Sequence, residues 1–438
     1  MARFKISTLG CKVNQSESDV IAAELKGIHW LPANGCESPE MVVINTCTVT
    51  QKAAMQSRQA VRQAIRSNPN AQIVVTGCYA QTEPKALENI NGVDLIVGNT
   101  DKHRIVELIR AGQAHAADGP IIICNDNSQI QPLKPSVDAI GGSRTRPVLK
   151  IQDGCNSACT YCIVPRARGP SRSLPPESVL AKIQSLSQAG YFEIVLSGVH
   201  LGHYGRDLTP ETRLSDLLAR IERSTTMPRV RLSSIEPLET TDELIEQVAE
   251  SSRICRHFHI PLQSGDDHIL KKMKRPYGSD DFSRIVHKIS QRFPEAAIGV
   301  DILVGFPGET EAAFSNTYEF VQALPVSYLH VFPFSVRPGT PAANYTGKVA
   351  PEIIKQRCAH MRCLGDAKRR DFNQRFIGLH KRVLFESARH SATGHLKGLT
   401  SNYLTVLVDA DDAYMNQLSA VRLTERFDGA LRGVIGQP

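Results

Sequence analysis

The chain has 438 residues, of which 41% are hydrophobic, 22% charged and 6% aromatic, a composition typical of soluble globular proteins and unlike disordered or collagen-like chains. At roughly 150 residues per domain, the length predicts about three domains. The apolar runs, such as Met41 to Ile44, have strand length and fall far below the roughly 18 residues of a membrane-spanning helix. We therefore expect no membrane segment. The amino terminus lacks the pattern of a secretory signal, which favours a cytoplasmic protein.

Basic residues are concentrated near the carboxyl end. The formal net charge is +7, and residues 351–400 hold eleven Lys or Arg against four Asp or Glu. Such a window is compatible with a contact to a polyanion. A solvated helix face followed by a basic loop explains the same charge equally well.

Short apolar runs alternate with helical patterns over the first 110 residues, which predicts a parallel sheet covered by helices. The expected strands are FKISTLG, MVVINT and AQIVVTG, and the expected helices are Ser16 to Leu25, Gln51 to Ile65 and Asp101 to Ile109. We assign residues 1–124 to this amino-terminal α/β domain. Residues 125–146 are polar and rich in Asn, Gln, Pro, Gly and Ser without apolar periodicity, as is typical of a linker.

A second alternation occupies residues 147–372. The expected strands are Val148 to Gln152, Ile194 to Ser197, Val230 to Ser233, His257 to Ile260, Ile298 to Val304 and Tyr328 to Phe332. The expected helices are Glu177 to Gln188, Leu214 to Arg223, Asp242 to Glu250, Asp280 to Gln291, Glu309 to Leu324 and Pro351 to about Phe372. This pattern predicts a partial (β/α)6 barrel. Residues 373–438 contain the strand-like runs VLFESA, YLTVLV and LSAVRLTER, which predict a small all-β barrel.

Cysteines recur after the predicted strands of the first domain. The chain has eleven cysteines, and a reducing compartment argues against a disulfide framework. Cys11, Cys47 and Cys78 each follow the end of a strand run. Because the carboxyl ends of parallel strands share one edge of a sheet, we expect these cysteines to converge there. Three small buried hydrophobic residues are the alternative interpretation.

A second cysteine cluster follows the first predicted barrel strand. GCNSACTYC places Cys155, Cys159 and Cys162 in a C-x3-C-x2-C pattern, at the strand end where such barrels carry their active sites. A closed structural zinc site requires four ligands, whereas an iron–sulfur cubane held by only three cysteines keeps one iron open to another ligand. The pattern favours the cubane over zinc.

This cluster motif resembles that of the radical S-adenosylmethionine superfamily, including the aromatic Tyr161 before the last cysteine. The resemblance implies a 4Fe–4S cluster on Cys155, Cys159 and Cys162 whose open iron binds S-adenosylmethionine and whose electron cleaves it. It also places Tyr161 close to the cofactor. A packed loop aromatic is the other interpretation of this residue.

TLGCKVNQSE, INTCTVT and VTGCYAQ further resemble the cysteine segments of the methylthiotransferase family. The barrel segments EIVLSGVHLGHYG, RLSSIEP, HIPLQSGDDHILKKMKRPY, DILVGFPGETE and LHVFPFSVRPGTP also follow that family. The resemblance implies that Cys11, Cys47 and Cys78 bind a second 4Fe–4S cluster, which presents the sulfur that is methylated and transferred. GCKVNQ and GLTSNYLTVLV are most similar to the branch that acts on C2 of N6-threonylcarbamoyladenosine beside the tRNA anticodon.

Three other functions are compatible with part of this sequence evidence. A methylthiotransferase acting on isopentenyladenosine in tRNA, or on a ribosomal protein side chain, shares the chemistry and differs in the substrate. An RNA-binding protein with a structural or redox-sensing cluster shares only the iron–sulfur site. The resemblance also implies a flavodoxin- or ferredoxin-type electron donor.

Polar residues at the ends of the barrel strands are candidates for holding S-adenosylmethionine. They are Ser197, Gly198, Ser234, Glu236 and Gln263. Turn or cap roles explain each of them about equally well. Arg166, Arg168 and Arg172 follow the cluster loop, and phosphate contact, cofactor contact and surface ion pairs all stay open for them.

The carboxyl-terminal barrel resembles a TRAM domain, a small RNA-binding β-barrel. The resemblance implies phosphate contacts from Lys381, Arg382, Arg389 and Lys397 and base stacking by Tyr403. A core role for Tyr403 is the alternative.

Overall fold

The computed structural model describes residues 1–35, 37–111, 119–128, 132–133 and 144–436. Most of the expected linker, namely residues 129–131 and 134–143, lies outside these described residues. The described chain separates into two compact units. The first contains the described part of Met1–Gly142 together with Lys150–Leu174 and Ser335–Ala343, and the second contains the described remainder.

The first unit is built around a parallel sheet with strand order β2-β1-β3-β4-β5-β6. Its elements are β1 (Arg3–Thr8), α1 (Lys12–Gly27), β2 (Leu31–Pro32), β3 (Met41–Thr46), α2 (Gln51–Ser67), β4 (Gln72–Gly77), α3 (Cys78–Thr82), α4 (Pro84–Glu88), β5 (Leu95–Val97), α5 (Ile105–Arg110) and β6 (Ile121–Ile123). A short antiparallel pair, β8 (Gln152–Asp153) and β9 (Arg172–Ser173), flanks the helix α6 (Val164–Arg168).

The central strand β3 explains why this sheet has helices on both faces. Val42 and Ile44 pack in the cluster that includes residues of α2, while Met41 and Val43 pack in the cluster that includes residues of α1 and α5. Successive side chains of a strand point to opposite faces, and every residue of β3 is buried. The continuous apolar run MVVI is therefore the signature of a strand that is buried on both sides.

The central region of the second unit carries two further parallel arrays, with strand orders β11-β10-β7 and β12-β13-β14. Its elements are β7 (Val148–Lys150), α7 (Pro176–Gln188), β10 (Glu193–Ser197), α8 (Leu214–Ser224), β11 (Arg229–Leu232), α9 (Asp242–Glu250), β12 (His257–Gln263), α10 (Asp267–Lys272), α11 (Ser279–Arg292), β13 (Ala297–Val304), α12 (Glu311–Ala323), β14 (Tyr328–Pro333) and α13 (Pro351–Gln374). A parallel bridge between Val230 and Ile254 lies between the two arrays. The strand order follows the chain, as in a partial (β/α) barrel.

Several helices of this region begin at a residue whose side chain accepts a backbone hydrogen bond. Thr241 caps α9 in this way, Asp266 caps α10 and Thr310 caps α12. Such caps satisfy amide groups that the first turn leaves without a partner. The helix α10 was not expected from the sequence because its six residues are too few to show a clear apolar period.

The carboxyl-terminal strands close into a barrel with the order β15-β16-β17-β19-β18. They are β15 (His380–Arg389), β16 (Leu396–Thr400), β17 (Thr405–Val408), β18 (Leu418–Phe427) and β19 (Ala430–Ile435). The local sequence pattern does not predict β16 or β19, each of which contains a glycine. A Cβ atom at Gly398 would lie 2.5 Å from Val383, and one at Gly433 would lie 2.4 Å from Val421. These glycines permit close approach of neighbouring strands.

The observed architecture confirms the expected fold class: a parallel α/β region, a partial barrel and a small closed β-barrel. Among the described residues, no helix is both long and apolar enough to cross a bilayer.

Candidate active site

Cys11, Cys47 and Cys78 follow three strands that are neighbours in the amino-terminal sheet. Cys11 caps α1 after β1, Cys47 comes directly after β3, and Cys78 begins α3 directly after β4. These strands are parallel, and Thr46 is paired with Gly77. The three cysteines therefore lie at the same edge of the sheet, as the sequence predicted. Cys47 and Cys78 are buried, whereas Cys11 is exposed.

The position of Cys47 is fixed by its neighbours. The Ser57 hydroxyl donates to the Cys47 carbonyl at 2.9 Å and accepts from the Cys47 amide at 3.1 Å. Gly10 has a φ of +98°, and a Cβ atom there would lie 2.8 Å from the Cys47 sulfur. Only glycine fits this close approach without strain.

The acidity of the Cys47 thiol is set by its surroundings. Burial, with smaller contributions from Cys78 and Cys11, raises the pKa of Cys47 to about 11. The Cys47 thiol is therefore protonated at neutral pH when no metal is bound. Because metals bind the thiolate, loading this site would release a proton.

The second cysteine set lies in the loop between β8 and α6. The Cys155 amide donates to the Gly169 carbonyl at 3.0 Å, and the Cys162 amide donates to the Cys159 carbonyl at 3.1 Å. Gly154 has a φ of +72°, and a Cβ atom there would lie 2.0 Å from the Pro170 carbonyl oxygen. This tight turn requires glycine directly before the first cysteine. Cys155, Cys159 and Cys162 are all partly buried, and so is Tyr161.

Both cysteine sets lie in the first unit. Asn99 contacts Cys78 of one set and the helix that follows the other. Its side-chain amide donates to the Ala167 carbonyl at 2.7 Å and lies 3.6 Å from the Cys78 sulfur. Ala167 belongs to α6, the helix that follows the cluster loop. The sequence does not predict this role of Asn99, since nothing in its local pattern indicates a contact to a cysteine.

Arg168, at the end of α6, is buried within this unit. It donates to Glu17 at 2.9 Å, to Asp153 at 2.9 Å and to Asn14 at 2.6 Å. Of the roles that the sequence left open for Arg168, a surface ion pair is wrong, because only 2% of its side chain is exposed. Arg166 on the same helix is exposed and donates to the Pro338 carbonyl at 3.0 Å.

In the second unit, the candidate cofactor contacts lie at the carboxyl ends of β10, β11 and β12. Ser197 ends β10 and is buried, with Gly198 directly after it. Ser234 and Glu236 follow β11; Ser234 is exposed and Glu236 pairs with Arg275. Burial raises the pKa of Glu236, while Arg275 opposes this shift.

Gln263 ends β12 with the unusual φ of +71°, at a register irregularity in the pairing with β13. The Tyr277 hydroxyl lies within hydrogen-bonding distance of the Pro261 carbonyl, at 2.8 Å, and of the Leu262 carbonyl, at 3.0 Å. Arg275 donates to the same hydroxyl at 3.0 Å. The sequence does not predict that Arg275 and Tyr277 support this edge, although both lie in a segment that carries the family resemblance.

His200, His203 and Glu239 form a hydrogen-bonded group beside this edge. The Nε2 atom of His200 lies 2.7 Å from a Glu239 oxygen, and Nε2 of His203 lies 3.0 Å from the same oxygen. Burial alone raises the pKa of Glu239, but the two histidines outweigh it and lower the pKa to about 2. Both histidines therefore have a carboxylate partner.

Glu239→Gln is expected to reduce the free energy of unfolding at neutral pH by about 2 kcal/mol. The pKa of Glu239 lies below its ordinary value of 4.5, so its contribution is complete above pH 4.5 and disappears as the pH falls towards 2. Urea unfolding of both proteins between pH 7 and pH 3 measures this difference. Glu243→Gln is the control, since 55% of that side chain is exposed; a difference that does not change with pH would contradict the prediction.

The residues expected to contact RNA lie on the carboxyl-terminal barrel, and most of them already have a partner within the protein. Lys381 pairs with Glu295 at 2.5 Å, Arg389 with Asp412 at 2.7 Å and Lys397 with Glu386 at 3.5 Å. Arg382 is exposed. The Tyr403 ring stacks on His257, with centroids 4.2 Å apart, and lies under the Arg231 guanidinium. The structure favours a packing role for Tyr403 over base stacking.

Comparison with known proteins places these features in a family. Residues 149–321 match the radical SAM superfamily, and residues 3–98 match a family described as uncharacterized protein family UPF0004. The fold is similar to that of the radical S-adenosylmethionine methyltransferase TsrM from Kitasatospora setae, whose structure contains cobalamin and a 4Fe–4S cluster. That comparison has a TM-score of 0.57 and 17% identity over 78% of this chain and 77% of TsrM.

Sequence identity to curated MtaB proteins is about twice the identity to TsrM. The threonylcarbamoyladenosine tRNA methylthiotransferase MtaB of Bacillus subtilis is 37% identical over 428 residues, which cover 97% of this chain and 94% of that protein. MtaB of Aquifex aeolicus is 34% identical over 404 residues, which cover 92% of this chain and 96% of its own length. With this identity over nearly the whole length, the chain belongs to the MtaB family of threonylcarbamoyladenosine tRNA methylthiotransferases.

Proposed function

We propose that this protein is a radical S-adenosylmethionine enzyme that adds a methylthio group to C2 of N6-threonylcarbamoyladenosine beside the tRNA anticodon. The observation that carries the proposal is the 37% sequence identity to MtaB of Bacillus subtilis over 97% of this chain. The two cysteine sets in the first unit support it, because the reaction requires both a radical-generating site and a source of sulfur. The cofactors are two 4Fe–4S clusters and S-adenosylmethionine.

Both cysteine sets fit iron–sulfur clusters by their donor chemistry. Each supplies three thiols, the ligand type that holds such clusters. Cys155, Cys159 and Cys162 would hold the cluster that supplies an electron for cleavage of S-adenosylmethionine. Cys11, Cys47 and Cys78 would hold the second. The buried Arg168 is connected through Asn14 to the backbone beside Cys47, and it would offset the negative charge that thiolates bring into an apolar interior.

The ends of the central strands supply polar groups for S-adenosylmethionine. Ser197, Gly198, Ser234 and Gln263 would contact its polar parts with backbone or side-chain groups. Glu236, oriented by Arg275, would accept hydrogen bonds from the cofactor's hydroxyl or ammonium groups. Tyr161 in the cluster loop would border the cofactor. Turn or cap roles are the alternative for the five strand-end residues, and a packed loop aromatic is the alternative for Tyr161.

The carboxyl-terminal barrel would contact tRNA. Arg382 is exposed and available to a phosphate, while Lys381, Arg389 and Lys397 carry acidic partners that a phosphate would have to displace. We therefore propose a modest electrostatic contribution from this surface. The domain assignment is 1–124, 147–372 and 373–438, with a linker at 125–146. A flavodoxin- or ferredoxin-type donor and a cytoplasmic location complete the proposal.

Nucleoside mass spectrometry tests the proposed reaction. Hypomodified bulk tRNA is incubated anaerobically with cluster-reconstituted protein, S-adenosylmethionine and a strong reductant. The expected product is the 2-methylthio form of N6-threonylcarbamoyladenosine. Release of deoxyadenosine without this nucleoside would overturn the substrate assignment and direct the search to isopentenyladenosine or a ribosomal protein. Absence of deoxyadenosine as well would overturn the radical chemistry.

Gly10→Ala is expected to lower the iron bound by the amino-terminal cysteine set. An added Cβ would collide with Cys47, and the positive φ adds backbone strain of about 1–3 kcal/mol. The measurement is iron per chain after reconstitution in a background where Cys155, Cys159 and Cys162 are alanine. Gly27→Ala, in α1, is the control because a Cβ there meets no atom within 4 Å. Equal iron content in the two variants would contradict the prediction.

A further inference from the structure

A buried network of charged side chains in the first unit joins α1, residues 150–153 and α6. Arg168 lies 2.9 Å from oxygens of both Glu17 and Asp153. Lys150 lies 2.8 Å from Glu17 and 2.9 Å from Asp153. Lys102 also pairs with Glu17. All of these groups belong to the first unit, and the side chains of Arg168, Lys102, Glu17 and Asp153 are at most 8% exposed.

This network is connected to the amino-terminal cysteines through Asn14. The Asn14 side chain accepts from Arg168 at 2.6 Å and donates to the carbonyl of Thr46 at 3.0 Å. Thr46 directly precedes Cys47. Through Asn14, the guanidinium of Arg168 is therefore held two hydrogen bonds away from the backbone that carries a proposed cluster ligand.

The charges of the network do not balance. Among the described residues, the cations in ion-pair distance outnumber the two carboxylates; they are Arg168, Lys150, Lys102 and Arg172. Burial lowers the pKa of Lys102, yet the three other cations still exceed Glu17 and Asp153. Buried charge without a counter-charge is strongly unfavourable. The surplus therefore indicates that another anion belongs beside this network.

Asn14 connects the network to the backbone beside Cys47. An iron–sulfur cluster held by Cys11, Cys47 and Cys78 would place its negative charge at this end of the network. Charge and hydrogen bonds near the ligands are levers that set the reduction potential of an iron–sulfur cluster.

We infer that Arg168 and its network are positioning residues that stabilise the reduced, more negative state of the cluster held by Cys11, Cys47 and Cys78. This inference rests on the proposed function, because it assumes that these cysteines bind a cluster. Arg168 follows the C-x3-C-x2-C motif in the chain, yet the inference is that it acts on the potential of the cluster held by the amino-terminal cysteines. Arg168 is buried, and a buried charge is screened little by solvent, so the effect of its removal on the potential should be measurable.

The midpoint potential of the amino-terminal cluster tests the inference. The full chain with Cys155, Cys159 and Cys162 changed to alanine carries only that cluster, and an electron paramagnetic resonance titration measures its potential. Arg168→Gln is expected to shift the midpoint to a more negative value, while Arg168→Lys, which keeps the charge, should stay close to the parent. Arg166→Gln is the matched control, since Arg166 lies on the same helix but is exposed. An Arg168→Gln midpoint equal to that control would overturn the inference.

A milder variant keeps the test decisive if Arg168→Gln fails to fold, as judged by circular dichroism. Lys150 is 19% exposed, and Lys150→Gln is expected to shift the potential in the same direction by a smaller amount. No shift in this folded variant would overturn the inference. A parent protein that binds no iron would overturn the proposed second cluster as well. The two failures are distinguishable, because only the second abolishes the cluster signal in the parent.

Discussion

Cys47→Ala is expected to abolish formation of the methylthio nucleoside while S-adenosylmethionine is still cleaved. The amino-terminal set has three thiols at one sheet edge, and loss of the buried central one leaves too few ligands for a stable cluster. The loop that we propose generates the radical is a separate segment with its own three cysteines and its own turn at Gly154. Deoxyadenosine should therefore continue to form. Parallel measurement of deoxyadenosine by chromatography and of modified nucleosides by mass spectrometry checks both halves of this result.

Cys124→Ala provides a matched control for this experiment. Cys124 lies in the same α/β region, just after β6, and burial raises its pKa to about 11, as it does for Cys47. Its sulfur contacts the Ala80 carbonyl at 3.6 Å, and it belongs to neither cysteine set. This variant should retain the product. Full product from Cys47→Ala would refute the assignment of a sulfur-carrying cluster to this set.

Arg231→Ala is expected to reduce the free energy of unfolding by about 3 kcal/mol or more. The side chain is fully buried and donates to Glu193 at 2.7 Å. It also donates to the carbonyls of Ser401, at 2.9 Å, and Thr400, at 3.0 Å, in the carboxyl-terminal barrel. Its removal leaves a buried carboxylate with weaker compensation from Arg229, which lies 3.6 Å away. Two carbonyl groups lose a donor at the same time.

Urea unfolding followed by circular dichroism measures this effect. Arg432→Ala is the control, because that arginine pairs with Glu425 at the surface, where the side chains are 39% and 60% exposed. Exposed pairs contribute less than about 1 kcal/mol. Equal unfolding midpoints for the two variants would show that the buried ion pair does not stabilise the protein.

Local sequence patterns were sufficient to predict most elements and the common sheet edge of three cysteines. The strands at Glu193–Ser197 and Ala297–Val304, and the helix at Asp242–Glu250, fall within a few residues of their predicted bounds. The three amino-terminal cysteines lie at one sheet edge, as expected. These features are predictable because strand alternation, helical period and the position of a residue at a strand end are all encoded within a few neighbouring residues.

The partners of the buried charged groups were decided only by the tertiary structure. Arg168 and Glu17 are 151 positions apart in the chain, and Arg231 and Thr400 are 169 apart. An arginine on a short helix or strand has the same local pattern whether it faces solvent or a buried carboxylate. Tyr403, which the sequence left open between RNA and core, meets His257 only once the two barrels are folded. Pairing and burial of such groups depend on the packing of distant segments, and a local pattern does not contain that information.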